Sequence, residues 1–311
     1  MAVGIAASAA FAVAWGLPTG VAALLFGAVG AITLGLADDR LRKFTLRPTY
    51  RLAFQVGIAT LAWFSGLRAD TDGPVGAVGT ILFLVAAMNA FNLLDNMDGV
   101  AGTTAAATSA GIAVVALMGG QYMVASMAAA LCGASVGFLP FNIRNARIYL
   151  GNGGSLLLGF LIGGAALKLR LPLEYPWPLI AIVAILAVPV TDTAVVMISR
   201  FLHSRPVMQG GVDHVSHRLV VAGLTPLEAA LTHGGAALLG AGSVAQAIFD
   251  GSFTVIAVTI AAFAAAGLLL MGVNVYGDAL LSRRRRFALG VALLCGLVVF
   301  TTTTPVLASL R

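Results

Sequence analysis

The chain has 311 residues, 59% of them hydrophobic and 10% charged, with a net charge of +6 and a mean hydropathy of +0.99. Soluble domains run about 45–50% apolar and about 25% charged, so a water-soluble fold could not hide this surface and lipid must cover it. The basic residues are spread over loops that flank apolar runs, which gives no nucleic-acid footprint.

The apolar runs are continuous and helix-length, unlike the ~10-residue alternations of a membrane β-barrel, so the fold class is all-α: a polytopic transmembrane helical bundle. In chain order, about eleven spans are predicted: Ala2–Trp15, Pro18–Leu36, Tyr50–Leu67, Val75–Leu94, Val100–Met118, Tyr122–Leu139, Ser155–Leu169, Pro178–Ser199, Leu227–Phe249, Ser252–Tyr276 and Phe287–Ser309. The first would reach only about 22 Å as a helix against a hydrocarbon core of about 30 Å, so the chain is expected to begin inside a longer first section. No basic residue precedes Arg40, so a signal-peptide leader is not expected at this start. Cys132 and Cys295 lie within apolar stretches and read as small core residues, not as a disulfide or metal pair. The whole of 1–311 is expected to form one integral membrane domain, with a catalytic core over 1–225 and the C-terminal spans over 226–311.

Alternating crossings divide the loops between two sides. One side receives 14 of the 18 Lys and Arg, including Arg40, Arg42, Lys43, Arg47, Arg51, Arg144, Arg147, Arg200, Arg205, Arg218 and the run Arg283–Arg286. The other keeps Arg68, Lys168, Arg170 and Arg311. The positive-inside rule places the first side in the cytoplasm, and Arg283–Arg286 reads as a topology anchor.

Four polar clusters fall on that cytoplasmic side, although they played no part in assigning it. Asp38-Asp39-Arg40 ends the second span; adjacent carboxylates repel unless solvated, paired or bound to a cation, so the pair is either a solvated helix end or a metal or proton-transfer site. In Asn89-Ala-Phe-Asn92-Leu-Leu-Asp95-Asn96-Met-Asp98-Gly99, positions 89, 92, 95 and 96 share one helical face. Such a stripe either bonds a neighbouring helix or marks function, and costly carboxylates at a membrane favour function. Gly151-Asn152-Gly153-Gly154-Ser155 opens the seventh span, where glycines and a helix N-terminus suit an anion. Asp213-His214-Val-Ser216-His217-Arg218-Leu219 lies in the longest cytoplasmic loop and offers groups for phosphate, metal or proton relay. Asp192 is a membrane carboxylate that could pair with a basic neighbour or serve a site, while His203 and His233 are assigned no role. Carboxylates for a divalent cation, with glycines and basic groups for phosphate, are what phosphoryl transfer needs; oxygen ligands without thiolate point to Mg2+, with Mn2+ as an alternative.

At these residues the chain resembles the polyprenyl-phosphate N-acetylhexosamine-1-phosphate transferases. Gly35-Leu-Ala-Asp38-Asp39-Arg40 is similar to the family's aspartate-pair motif, and Asn92-Leu-Leu-Asp95-Asn96-Met-Asp98-Gly99-Val-Ala-Gly102 to its NLxDxxDGLAG signature, the most specific match. Arg147-Ile-Tyr-Leu-Gly151-Asn152-Gly-Gly-Ser155 and Asp213-His214-Val-Ser216-His217-Arg218-Leu219 resemble its third and histidine motifs. The resemblance implies transfer of a sugar-1-phosphate from a UDP-N-acetylhexosamine to a polyprenyl phosphate, undecaprenyl or decaprenyl, with UMP released and Mg2+ required. Carried over residue by residue, Asp38, Asp39, Asp95, Asp98, His214 and His217 would be catalytic, with Asp38 and Asp39 handling the lipid phosphate. Lys43, Asn89, Asn92, Gly151, Gly153, Ser155 and Arg218 would bind substrate, and Asp39, Asp98 and Asn152 would hold the metal.

The family normally has an aspartate ligand at the position of Asn152 and a histidine at that of Ser216, and its first span and first cytoplasmic loop have no counterpart here. A catalytically impaired relative that binds UDP-sugar or lipid phosphate is the alternative reading. A transporter is disfavoured, because the carboxylates sit at span ends and not between repeated halves. Which hexosamine is used and the oligomeric state stay open, with a homodimer among the candidates.

Overall fold

A computed structural model of the protein describes residues 19–40, 48–68, 73–206, 210–273 and 275. The segments Ala2–Trp15 and Phe287–Ser309, Lys43 and the Arg283–Arg286 run lie outside the described residues. Among the described residues the secondary structure is helical throughout, without a strand.

The helices are α1 (Thr19–Arg40), α2 (Pro48–Phe64), α3 (Gly73–Leu94), α4 (Val100–Met118), α5 (Tyr122–Asn142), α6 (Gly151–Leu167), α7 (Trp177–Ile185), α8 (Ala187–Leu202), α9 (Val215–Ala222), α10 (Pro226–Asp250) and α11 (Thr254–Met271). Four of them, α3, α4, α5 and α11, are long and apolar enough to cross a membrane, and a bent pair, α7 with α8, makes a fifth. That is fewer than the eleven spans expected: α6 is apolar but only 17 residues long, and the first and last predicted spans lie outside the described residues.

Two predicted elements differ from their expectation for identifiable reasons. Pro178–Ser199 is apolar throughout, yet the chain turns by 80° between α7 and α8. Pro189 explains the break: it has no N–H to give the Ile185 carbonyl, and its ring would clash with that carbonyl in a continuous helix. The supposed loop around Asp213–Leu219 contains α9, closed by Gly223 at φ 117°, a left-handed C-terminal stop that glycine adopts freely.

The chain forms two compact units. The first holds α1, α2, α3 and α6, and the second holds α4, α5 and α7–α11. In the first, α6 lies against both α1 and α3, while α2 packs on α1 and α3. Glycines set these approaches. A Cβ on Gly35 of α1 would run into the Gly153 backbone of α6, and one on Gly159 of α6 would stand 2.6 Å from the Met88 Cα of α3. Small residues at such crossings are the usual means of close helix approach without a hydrophobic drive between helices. Gly35→Ala is therefore expected to push α1 off α6 and cost about 1–3 kcal/mol, the usual penalty of overpacking. Gly57→Ala, with no atom within 4 Å of its added methyl, serves as control. Thermal unfolding of the two variants in detergent checks this, and equal midpoints would disprove the tight crossing.

In the second unit α4 is the central helix. Its apolar window is 78% buried against 22% for α5 and for α11, so α4 is covered by α5 and α10 while the other two turn a broad face outward. Gly111 of α4 meets Ala241 of α10 so closely that a methyl would overlap it. The Thr103 hydroxyl donates to the Ala230 carbonyl (2.8 Å), a polar tie across the same crossing. A capping box at Thr225 and Glu228 starts α10.

Candidate active site

The first unit gathers most of the expected polar residues at one place. The route starts at Gly35: because α1 touches α6 there, the next turn of α1 carries Asp38 and Asp39 to the first turn of α6. Gly151, the first residue of α6, has φ 58°, and a Cβ on it would lie 2.6 Å from Asp39 Oδ2. The Asn152 backbone N–H donates to Asp39 Oδ2 (3.1 Å). Its side-chain Nδ2 donates to Asp39 Oδ1 (3.0 Å) and Asp38 Oδ2 (2.9 Å). A helix N-terminus presents unsatisfied N–H groups and positive potential, so the anion that α6 attracts in this structure is the Asp39 carboxylate.

The polar stripe on α3 faces inward, to this cluster and to α2. Asn92 Nδ2 donates to Asn152 Oδ1 (2.8 Å) and Ser155 Oγ (2.9 Å), while its Oδ1 accepts from Arg51 Nη2 (3.2 Å). Arg51 Nη1 stands 3.4 Å from Asp38 Oδ2. One turn back, Asn89 exchanges hydrogen bonds with Gln55, a buried residue of α2. Ser155 Oγ in turn donates to the Gly151 carbonyl (2.8 Å). Asp38, Asp39, Asn92, Gly151, Asn152 and Ser155 thus come together within this unit. Asn89, in contrast, ties α3 to α2, and Gly153 provides a helix crossing where a substrate contact was expected. Asp95, half-buried, lies just past the end of α3 at Leu94.

Sequence reasoning missed Arg51 and Gln55. The signal for Arg51 was present: a lone cation one turn inside an apolar helix, where it is costly unless partnered.

The second unit assembles the histidine motif. Asp213 takes a two-point ion pair from Arg200, Nε to Oδ2 at 2.7 Å and Nη2 to Oδ1 at 2.9 Å, with both side chains buried. Burial pulls the Asp213 pKa upward, but the Arg200 hydrogen bond, a backbone N–H and nearby positive charge outweigh it and hold the carboxyl below its ordinary value. Asp192, on α8, accepts the Val215 backbone N–H (2.7 Å) on Oδ1 and lies 2.9 Å from His214 Nδ1 through Oδ2. A carboxylate can only accept, so Nδ1 of His214 carries the proton and the ring is fixed at the start of α9. His217 follows one turn on, its ring 6.0 Å from that of His214. Burial, then the neighbouring His214, keep His217 below the usual histidine pKa despite Asp192 and Asp213. Ser216 donates to Asn96 Oδ1.

Arg218 departs from its predicted role. Its Nε donates to the Asp213 carbonyl (2.9 Å) and Nη2 to Ser199 Oγ (2.8 Å). Its Nη1 reaches the carbonyls of Leu270 (3.1 Å), Met271 (3.1 Å) and Val273 (2.9 Å). This buried guanidinium closes the C-terminal end of α11. Asp98 accepts the Ala146 N–H (3.3 Å) on Oδ2, and next to it Gly99, at φ 81°, donates its N–H to Asn142 Oδ1 (2.9 Å) to start α4.

The expected metal set of Asp39, Asp98 and Asn152 fails a test of donor chemistry. Asn152 turns hydrogens toward the Asp38 and Asp39 oxygens, where a ligand to a divalent cation must offer a lone pair. Among the described residues no group of three or more His, Cys, Asp or Glu is poised to hold a metal ion.

The comparisons with known proteins agree with the motifs. The model of glycosyl transferase family 4 matches residues 21–170. A Streptomyces coelicolor protein named as an inferred glycosyltransferase is 38% identical over 275 residues, covering 86% of this chain and 64% of its own length. An inferred undecaprenyl-phosphate N-acetylglucosaminyl 1-phosphate transferase of Bacillus subtilis is 30% identical, over 67% of this chain and 60% of its own. The decaprenyl-phosphate N-acetylglucosaminephosphotransferase of Mycolicibacterium smegmatis is 26% identical, over 66% and 58%. The matches span 58–64% of the length of these relatives. On its motifs and these matches together, the chain is similar to glycosyl transferase family 4 over residues 21–170.

Proposed function

We propose that this protein transfers N-acetylhexosamine-1-phosphate from a UDP-sugar to a polyprenyl phosphate, releasing UMP, on the cytoplasmic side of a membrane crossed by about eleven helices. An oxygen of the lipid phosphate attacks the sugar-bearing phosphorus. The new P–O bond joins lipid to sugar phosphate, and the phosphoanhydride bond breaks with its electron pair leaving on UMP. The observation that supports the reading is the Asp38–Asp39 pair held against the first turn of α6, inside the family-matched segment. The pair would orient the incoming lipid phosphate and take up a proton when that phosphate arrives protonated. Within the second unit His214, fixed by Asp192, and His217 would offer hydrogen-bonding groups to phosphate oxygens. A divalent cation, Mg2+ or Mn2+, would neutralise diphosphate charge; the reading has it arrive with the nucleotide sugar instead of resting on Asp39 and Asn152.

The test is UMP release by the full chain in liposomes, comparing UDP-N-acetylglucosamine, UDP-N-acetylgalactosamine and the muramyl-pentapeptide nucleotide, with and without undecaprenyl or decaprenyl phosphate. Release with one nucleotide, only when the lipid phosphate is present, is the expected result. The hydrogen-bonded closure of Asp38 and Asp39 by Asn152 favours a second reading, a binding protein without turnover. Saturable UDP-sugar binding with no UMP from any of the three nucleotides would establish it and overturn the first.

A further inference from the structure

The hydrogen bonds around Asn152 have a fixed polarity, and its origin is Arg51. A guanidinium only donates, so the atom of Asn92 facing Arg51 Nη2 must be its carbonyl oxygen. Asn92 therefore turns its NH2 to Asn152 and Ser155, and the Asn152 atom that receives it must be Oδ1. That leaves the Asn152 NH2 aimed at the two carboxylates, at 2.9 Å from Asp38 and 3.0 Å from Asp39. Amide oxygen and nitrogen are assigned from such networks, and here each link forces the next. The backbone N–H of Asn152 adds a third donor (3.1 Å), and Arg51 Nη1 places positive charge 3.4 Å from Asp38. Two adjacent carboxylates, which would otherwise repel, are thus compensated by three N–H-bearing atoms of this chain, the Asn152 Nδ2 and N and the Arg51 Nη1.

We infer that in this protein the Asn152 amide and the Arg51 guanidinium take the place of a divalent cation at the Asp38–Asp39 pair, so that the pair is held closed by hydrogen bonds and binds no such ion. For an ion to enter, Asn152 would have to rotate its oxygen inward. Its NH2 would then face the NH2 of Asn92, which Arg51 prevents from turning. An aspartate at 152 reverses every part of this: it removes the two NH2 donors, adds a third carboxylate, and leaves like charges that only a cation can reconcile. The inference rests on the geometry of the first unit and stands whether or not the chain turns over a UDP-sugar.

Mn2+ binding to the purified full chain in detergent, read from the electron paramagnetic resonance signal of the unbound ion, tests it without any substrate. The wild-type binding curve is expected to be unchanged by Asp39→Asn. Asn152→Asp is expected to add a site at least about tenfold tighter than any in the wild type, which Asp39→Asn then removes. Loss of wild-type Mn2+ binding on Asp39→Asn overturns the inference, and so does an Asn152→Asp protein that gains no site. Should Asn152→Asp fail to fold, the comparison of wild type with Asp39→Asn decides alone: an unchanged curve supports the closed pair and a lost site refutes it.

Discussion

Asp39→Ala is expected to abolish UMP release, by a factor on the order of 10^3 or more, and Asp98→Ala to do the same. The loss at Asp39 has two physical parts that separate experimentally. Its carboxylate anchors the first turn of α6 through the Asn152 backbone and side chain, so its removal leaves helix N–H groups without their anion. A helix-capping contact of that kind is worth about 0.5–2 kcal/mol, too little to unfold the unit. The remaining loss is chemical: a positioned acid–base group commonly contributes about 10^2–10^4 in rate. Asp39→Asn keeps an acceptor oxygen for α6 and removes the charge. It is expected to restore the thermal midpoint to near the wild-type value while leaving UMP release as low as in Asp39→Ala. Near-full turnover by either Asp39 variant or by Asp98→Ala, in liposomes where the wild type is active, would show that the site lies elsewhere.

The parts of this arrangement that could be read from the sequence are those set by local rules. Val100–Met118 begins and ends where expected, because Gly99 and Gly119–Gly120 bracket an unbroken apolar run. The three-and-four spacing gave one helical face for Asn89 and Asn92, while Asp95 and Asn96, assigned to the same face, lie past the helix end at Leu94. What that face meets was not in the spacing. Asn89 is taken by Gln55 and Asn92 by Arg51 and Asn152, partners 34 to 60 residues away that only packing selects. Pro189 was a legible break inside Pro178–Ser199, but the uninterrupted hydrophobicity around it outweighed one residue in the reading. Asp192 was noticed as a costly membrane carboxylate; its purpose appeared only when α9 brought His214 and the Val215 N–H to it. Asn152 was recognised as a departure from the family pattern. Its consequence, a turned amide with a forced polarity, depended on a guanidinium on α2 that no motif includes.

Arg218 is the residue whose two readings diverge most in what they predict. As a phosphate ligand it would lower substrate affinity on replacement and leave folding alone. As the structure has it, the guanidinium fills the space between α9, α8 and the end of α11, and satisfies backbone carbonyls that no other helical turn follows. The last carbonyls of a helix have no partner within it, and a cation there also answers the negative end of the helix dipole. Arg218→Met keeps much of the apolar volume and withdraws this donor from four carbonyls, the Asp213 carbonyl among them, of which Leu270 keeps a bond from the Val273 N–H (2.9 Å). Each unsatisfied buried acceptor costs about 1–3 kcal/mol, and because the four share one donor their losses do not add in full. A net loss of about 3–5 kcal/mol follows, comparable to breaking a buried charged contact. In a chain of this size that lowers the thermal midpoint by about 6–12 °C. Arg218→Lys should recover only part of it, since an ammonium group cannot span carbonyls that the planar fork reaches together. A normal midpoint with a raised KM for the nucleotide sugar would return Arg218 to the substrate site. A lowered midpoint with an unchanged KM in the surviving protein is the outcome that the buried clamp requires.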